Sequence, residues 1–136
     1  MTSPHEPDSF KGQGFAARLG HALDGLRAAW QQEASVRTHA LATVAVVALL
    51  ALSHAPALWW AVMALTVGAV VSAELLNTAI EALADHLHPE RHPAIGLCKD
   101  VAAGAVLVST LAALAVGAAF LFGHVLPWLG WLGWGG

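Results

Sequence analysis

A stripe of carboxylates and one amide, beginning inside an apolar stretch, is the strongest chemical signal in the sequence. The segment over residues 73–85 reads AELLNTAIEALAD. Spacings of i, i+3, i+7 and i+11 place its polar members on one helix face within about 80° of arc: Glu74, Asn77, Glu81 and Asp85. Ionisable residues at membrane depth mark a functional cavity or a subunit interface, so we do not expect this face to contact lipid. An inert role in helix packing is the alternative.

Two kinds of chemistry suit this face. Magnesium ions prefer carboxylate oxygens and usually keep waters and substrate phosphates as further ligands. A carboxylate held deeper in the membrane suits a general base, and Glu74 is the deepest of these acids. A helix-packing hydrogen bond or a proton-relay acid of a transporter is the alternative for Glu74.

Glu33 is a further acid in an apolar setting. Residues 15–36 have helical periodicity but too few apolar side chains to span a membrane. They predict an amphipathic helix on the inner membrane surface, with Arg27 facing water or headgroups; a soluble helix packed on a partner is the alternative. On this wheel Glu33 falls within the apolar stripe, where a carboxylate is costly unless it is paired or binds a metal. Alternatively, the helix bends or ends before Glu33.

The segment before the last apolar stretch carries the remaining polar signals. The loop over 86–93 reads HLHPERHP, whose histidine spacing is not typical of a closed zinc site. Lys99 and Asp100 are a stronger signal, because a lysine facing carboxylates across a hairpin pairs with them or binds a phosphate. A simple interfacial anchor is the alternative. The sequence has no P-loop, G-x-S-x-G or H-E-x-x-H motif, so a nucleotide site must be built without a P-loop.

Composition and charge distribution indicate the elements that must position these residues. Of 136 residues, 57% are hydrophobic and 11% are charged, against about 25% charged in ordinary soluble domains. No Asp, Glu, Lys or Arg occurs between Thr38 and Ala73, or after Asp100, and lipid forces such stretches into helices. We predict a disordered N-terminus 1–13, a single membrane domain 14–122 and a Trp-rich periplasmic tail 123–136. Within the membrane domain, the predicted elements are a surface helix 14–36, spans at about 38–55, 58–84 and 101–122, and a cytoplasmic loop 85–100.

The basic residues predict the topology. They precede the first span or lie between the second and the third. The positive-inside rule therefore puts the N-terminus and the 85–100 loop in the cytoplasm and the C-terminus outside. With six Lys and Arg and a net charge of −3, the chain cannot form a basic patch for nucleic acid. The single cysteine, Cys98, excludes an intrachain disulfide framework and a Cys-cluster zinc site.

Two motifs give the chain a family resemblance. GLRAAWQQEASVR over 25–37, ELLNTAIEALAD over 74–85 and a loop ending in Lys99-Asp100 occur in this order. Together they resemble the small prokaryotic integral-membrane diacylglycerol kinase family over residues 14–122. The resemblance implies an all-α membrane protein, with an N-terminal amphipathic surface helix, three transmembrane helices, a cytoplasmic N-terminus and a homotrimeric assembly. Its active sites would form between neighbouring subunits at the cytoplasmic side of the cell (inner) membrane, where the γ-phosphoryl group of MgATP is transferred to a lipid hydroxyl.

The resemblance also implies roles for the residues that match the family's motifs. Glu74 matches the base that takes the proton from the lipid alcohol, and Glu33 and Glu81 match the carboxylates that hold metal ions. The polar residues that surround the nucleotide are Asn77, Asp85, Lys99 and Asp100, with Glu90 and His92 as further candidates. Further candidates for contact with the lipid substrate, beside Glu74, are Arg27 and Trp30.

The chain departs from the family pattern near the proposed nucleotide site. The family's G-R-x-K-D run has Leu97 in place of the arginine, and His86 follows Asp85 where arginine is common. One basic contact to the nucleotide is thereby lost.

The function that the resemblance implies is ATP-dependent phosphorylation of diacylglycerol to phosphatidate, with Mg²⁺ as cofactor and ATP as co-substrate. Undecaprenol is the alternative acceptor, because the family's motifs serve both lipids. A non-catalytic ion or proton conduit is the alternative of another class. Glu33 and Lys99-Asp100 argue against a conduit, since a conduit requires none of them.

Overall fold

The chain is built from helices. The computed structural model describes residues 14–88, 90 and 92–133, and these ranges contain no β-strand. Within them the elements are α1 (Phe15–Gln32), α2 (Ala34–Leu52), α3 (Ala57–Leu87), α4 (Pro93–Phe120), a π-helical turn (Leu121–Val125) and α5 (Leu126–Gly133). The predicted disordered segment 1–13 and the last three residues of the predicted tail lie outside the described residues.

Three helical stretches are long and apolar enough to cross a membrane. They are α2, α3 and the stretch Pro93–Gly130, which contains α4. A span needs about 20 apolar residues, because each residue advances a helix by about 1.5 Å across about 30 Å of hydrocarbon. The prediction of an all-helical chain with three spans after a short N-terminal helix is confirmed.

The predicted surface helix over 14–36 is two elements: one continuous helix is wrong, and the alternative that the helix ends before Glu33 is confirmed. α1 ends at Gln32, and Glu33 has an extended backbone with φ −108° and ψ 119° before α2 begins. The Arg37 guanidinium donates a hydrogen bond of 2.9 Å to the Trp30 carbonyl. It thereby satisfies a carbonyl that the end of α1 leaves without an intrahelical partner. Glu33 therefore lies at a junction between helices and does not continue the apolar stripe of α1.

The loop between α3 and α4 is much shorter than the predicted loop over 85–100. α3 ends at Leu87 and α4 begins at Pro93. His92 caps α4, since its Nδ1 accepts a hydrogen bond of 3.2 Å from the Ala94 N–H. Pro93 suits the first helical position, where its missing N–H removes no hydrogen bond. The prediction is wrong because a helix satisfies its own backbone and need not end where the apolar residues end.

At the far end of α4, helical structure continues beyond the predicted end of the span at Phe122. The chain passes through the π-helical turn, where hydrogen bonds run from i to i+5, and enters α5. His124 in this turn places its Nε2 3.2 Å from the Ser53 carbonyl oxygen. That carbonyl belongs to the turn between α2 and α3, where His54 has a left-handed φ of 51°. The described part of the predicted tail is therefore helical, and its first turn contacts the bundle.

The bundle is best packed at this far end, away from the acidic stripe. Leu50, Met63, Phe120 and Val125 form a buried cluster, and the ring centroids of Trp59 and Phe120 are 5.0 Å apart. α4 packs along α3, whereas α2 contacts α3 over fewer residues. Among the described residues, no α-carbon of α2 lies within 8 Å of one in α4. An open groove therefore runs over α3 between α2 and α4.

Candidate active site

The acidic stripe occupies the second half of α3 and passes from a buried to an exposed environment. Glu74 is buried, with 9% of its surface exposed. Asn77 and Glu81 are half-buried, and Asp85 is exposed. At about 1.5 Å per residue, Glu74 and Asp85 lie about 16 Å apart along the helix. The stripe thus connects a dry environment with one that water and soluble ligands reach.

Both oxygens of the Glu74 carboxylate have partners on α2. Ser35 Oγ donates a hydrogen bond of 3.2 Å to Oε2. His39 Nε2 lies 3.1 Å from Oε1. An ionised carboxylate only accepts hydrogen bonds, so a hydrogen bond to ionised Glu74 requires the His39 tautomer that carries its proton on Nε2. Two residues one helical turn apart on α2 therefore fix the side chain of Glu74 on α3.

Sequence reasoning missed both of these partners. Ser35 and His39 are spaced i and i+4, so they share one face of α2. His39 is also the first titratable side chain in a stretch without Asp, Glu, Lys or Arg. A titratable residue at the start of an apolar span, facing a predicted membrane acid, was the signal that could have identified the pair.

Asn77 and Glu81 form a second polar pair, one turn further along α3. Asn77 Nδ2 donates a hydrogen bond of 3.0 Å to Glu81 Oε1. The Asn77 Oδ1 atom is buried and has no hydrogen-bond partner. A free amide oxygen beside a carboxylate is a hard donor set that suits Mg²⁺ or a hydrated ligand. The residues present here therefore fit part of a magnesium site.

Glu33, the other predicted metal ligand, lies half-buried at the junction of α1 and α2. Its backbone N–H donates to the Ala29 carbonyl at 2.9 Å. No described hydrogen bond or ion pair joins its side chain to Glu74 or Glu81. Within the described ranges, no group of three or more His, Cys, Asp or Glu side chains is close enough to hold a metal ion. The described part of one chain thus contains no cluster of three such ligands around Glu33 or Glu81.

Asp85 and Lys99 form an ion pair between α3 and α4. Lys99 Nζ donates to both carboxylate oxygens, at 2.9 Å and 3.2 Å. With Glu90 and His92, the pair lines a cavity of about 440 Å³ beside the short loop. Four of the residues predicted to surround a nucleotide therefore meet at one cavity. Asp100, the next residue of α4, is exposed, and neither Asp100 nor Asn77 lines this cavity.

Arg27 and Trp30 lie on α1, away from this cavity. They line a shallow surface depression of about 330 Å³ together with other residues of α1. The Arg27 guanidinium lies 3.8 Å from the exposed carboxylate of Asp24, which is a weak surface ion pair. The structure therefore leaves both side chains on the accessible surface of α1, and no described contact joins them to Glu74.

The groove between α2 and α4 reaches the candidate site from the membrane. It has a volume of about 440 Å³ and is lined mainly by apolar side chains of α2, α3 and α4. His39 lines one end of the groove, and Phe120 and Leu121 line the other. The Glu74–His39 pair therefore lies where an apolar groove meets the polar end of the bundle.

Fold and site together define a class: a multi-pass membrane protein whose polar residues gather at one end of its spanning helices. The model of the family described as "Prokaryotic diacylglycerol kinase" matches residues 20–121. The chain belongs to this family of membrane lipid kinases, and the resemblance predicted from its motifs is confirmed.

Individual relatives agree with this assignment. The diacylglycerol kinase of Escherichia coli (strain K12) is 32% identical over 105 residues, which cover 77% of this chain and 86% of the relative. The diacylglycerol kinase of Synechocystis sp. is 37% identical over 107 residues, covering 78% and 61% respectively. The undecaprenol kinase of Bacillus subtilis (strain 168) is 35% identical over 103 residues, covering 76% and 84%. The chain is thus similar to kinases named for two different lipid acceptors.

Proposed function

We propose that this protein transfers the γ-phosphoryl group of MgATP to the hydroxyl of diacylglycerol, giving phosphatidate at the cytoplasmic face of the cell (inner) membrane. The observation that carries the proposal is the arrangement along α3. A buried carboxylate, Glu74, lies where the apolar groove ends, and the Asp85–Lys99 pair lines an accessible cavity further along the same helix. A lipid alcohol and a soluble phosphate donor would meet between these two points.

Glu74 is the general base in this mechanism. Its carboxylate accepts the proton of the lipid hydroxyl while the hydroxyl oxygen forms a bond to the γ-phosphorus. The bond between the γ-phosphorus and the bridging oxygen of ADP breaks, and ADP leaves. Burial suits Glu74 to this role, because the lipid alcohol reaches it from the groove while bulk water is excluded.

The remaining polar residues bind the nucleotide and neutralise its charge. Lys99 donates hydrogen bonds to phosphate oxygens, and Asp85 orients the ammonium group toward the cavity. Asn77, Asp100, Glu90 and His92 complete the nucleotide surroundings. Glu33 and Glu81 would hold Mg²⁺, which when bound supplies positive charge to the transferring phosphoryl group.

A homotrimer with a cytoplasmic N-terminus completes the proposal. Two observations support an assembly. The described part of one chain has no cluster of three or more potential metal ligands, and large apolar side chains are exposed along every spanning helix. A second copy would supply further ligands and cover part of that surface. We propose that each active site forms between neighbouring subunits.

Undecaprenol is the second candidate acceptor. A relative named for that activity is 35% identical over 76% of this chain. The groove that reaches Glu74 is lined mainly by apolar side chains and accepts either an acyl or an isoprenoid chain on chemical grounds.

Radiolabel transfer from ATP tests the function directly. Purified protein in mixed micelles with MgATP labelled at the γ-phosphate is expected to label diacylglycerol. The isosteric change Glu74→Gln is expected to abolish labelling while the protein stays folded by circular dichroism. Asp24→Asn, an equivalent change at an exposed site on α1, is the matched control and retains activity.

The same assay separates the alternatives. Faster labelling of undecaprenol than of diacylglycerol would favour the second acceptor. Absence of transfer to any lipid alcohol would contradict the kinase proposal and favour a non-catalytic role for the acidic face.

A further inference from the structure

We infer that His39 is a positioning residue, which acts with Ser35 to hold the carboxylate of Glu74 in its reactive orientation. The inference rests on the proposed function, because it assigns a role to the surroundings of the proposed base. It starts from the two hydrogen bonds that cross from α2 to Glu74, at 3.1 Å from His39 and 3.2 Å from Ser35.

The two donors fix the carboxylate and leave it able to react. A glutamate side chain has three rotatable bonds, so an isolated Glu74 would sample orientations that point away from the substrate. One donor on each oxygen restricts that rotation. Each carboxylate oxygen has a second lone pair, which stays free to accept the proton of the lipid hydroxyl. The pair of donors therefore orients the base without occupying the lone pairs that accept the proton.

The position of His39 supports this role over a role in helix packing alone. His39 lines the end of the apolar groove, and its bond to Glu74 spans the helix pair that borders the groove. Ser35 lies one turn earlier, directly after the extended junction at Glu33. Two donors one turn apart on one face of α2 give the base a fixed direction at the place where a lipid alcohol arrives.

The alternative is that the bond between His39 and Glu74 is purely structural, and His124 provides a matched comparison for it. His124 is also half-buried, and its Nε2 lies 3.2 Å from an oxygen acceptor, the Ser53 carbonyl, at the opposite end of the bundle. Loss of either imidazole removes one inter-element hydrogen bond. Only loss of His39 affects the proposed base.

Steady-state kinetics of four variants test the inference. His39→Leu is expected to lower kcat about 100-fold with KM for ATP and lipid nearly unchanged, because small misplacement of a catalytic group costs about this factor. His39→Gln keeps a side-chain N–H donor at a similar reach and is expected to recover most of that loss. Ser35→Ala removes the second donor and is expected to lower kcat about tenfold by the same reasoning. His124→Leu is the control and keeps the wild-type kcat.

Each outcome decides the inference. A wild-type kcat in folded His39→Leu and in Ser35→Ala would overturn it while leaving the kinase proposal intact. So would a loss in His39→Gln as large as in His39→Leu, because the imidazole itself would then be required. If His39→Leu does not fold, kcat of Ser35→Ala and of His39→Gln is compared with that of the wild type instead. Wild-type protein that labels no lipid alcohol would overturn the proposed function, and this inference with it.

Discussion

The acids of α3 are chemically alike but differ in what surrounds them. Glu74 is buried and held by two donors on α2, whereas Glu81 is half-buried and held by a single amide of its own helix. A buried, oriented carboxylate suits proton transfer, and a more accessible one beside a free amide oxygen suits a hydrated cation. Surroundings, and not residue type, therefore divide the proposed roles between Glu74 and Glu81.

Glu81→Ala tests that division. Removing one carboxylate ligand is expected to raise the Mg²⁺ concentration for half-maximal activity at least about tenfold, a typical loss for a perturbed metal site. The measurement is a Mg²⁺ titration of labelling at fixed ATP. Asp24→Asn is the control, since it also removes one negative charge from an exposed helix face. An unchanged Mg²⁺ dependence in Glu81→Ala would remove Glu81 from the metal site.

At the scale of elements, the pairing of α3 and α4 brings residues from two motifs together. Asp85 and Lys99 are fourteen residues apart in sequence, and the short loop folds them against each other as an ion pair. Their side chains remain 67% and 33% exposed, so solvent screens the attraction between them. The pair is therefore better explained as part of a phosphate site than as a fastener of the two helices.

Lys99→Met distinguishes these two explanations. We expect KM for ATP to rise at least about tenfold, because a charge-assisted hydrogen bond to phosphate is lost. We also expect the thermal unfolding temperature in detergent to stay close to that of the wild type. The measurements are an ATP titration of labelling and a thermal melt. A large drop in unfolding temperature with an unchanged KM for ATP would identify the pair as a structural anchor.

Sequence reasoning predicted which helices form better than it predicted the residues at which they begin and end. Charge-free stretches identified three spans because lipid leaves the backbone no other choice. The break at Glu33 was only the alternative prediction, since periodicity continues through it and the Arg37 hydrogen bond to Trp30 leaves no mark in that periodicity. The cap formed by His92 and Pro93 was visible in the sequence, but the charges that follow it suggested a loop. The limits of these helices depend on local hydrogen bonds more than on hydropathy.

The candidate site was predictable along α3 and across the hairpin to Lys99 on α4, but not between α2 and α3. The stripe from Glu74 to Asp85 follows from helical spacing alone. The contacts of Ser35 and His39 with Glu74 depend on how α2 is rotated against α3, which no short-range pattern specifies. Packing between helices therefore supplied the part of the site that spacing could not.

For the whole molecule, the amount of exposed apolar surface is the dominant property. Large apolar side chains are exposed on every spanning helix and on α1, where Phe15 is 81% exposed. Lipid accounts for part of this surface, and other copies of the chain account for part of it in the proposed trimer. In the proposed trimer, sites that draw residues from neighbouring copies would give the assembly a catalytic role.

Mixed assemblies test whether the sites are shared. Glu74→Gln and Lys99→Met are each expected to be inactive alone under limiting ATP. If a site takes these residues from different subunits, co-purified mixed trimers are expected to recover up to about a quarter of wild-type activity by random association. The measurement is labelling by mixtures that were co-expressed, with separately purified proteins mixed after assembly as the control. Absence of recovery in co-expressed mixtures would show that each site takes both residues from the same subunit.

The two helices that carry the site are long, so the thickness of the bilayer affects the position of the site. α3 has 31 residues and the stretch Pro93–Gly130 has 38, or about 46 Å and 57 Å against a hydrocarbon core of about 30 Å. The excess is accommodated by tilt or by projection into the headgroups. Because the short loop joins the two helices at one end and α4 packs along α3, they tilt together. A change in bilayer thickness therefore changes the tilt or projection of both helices, and with it the depth of Glu74 and Lys99 relative to the headgroups.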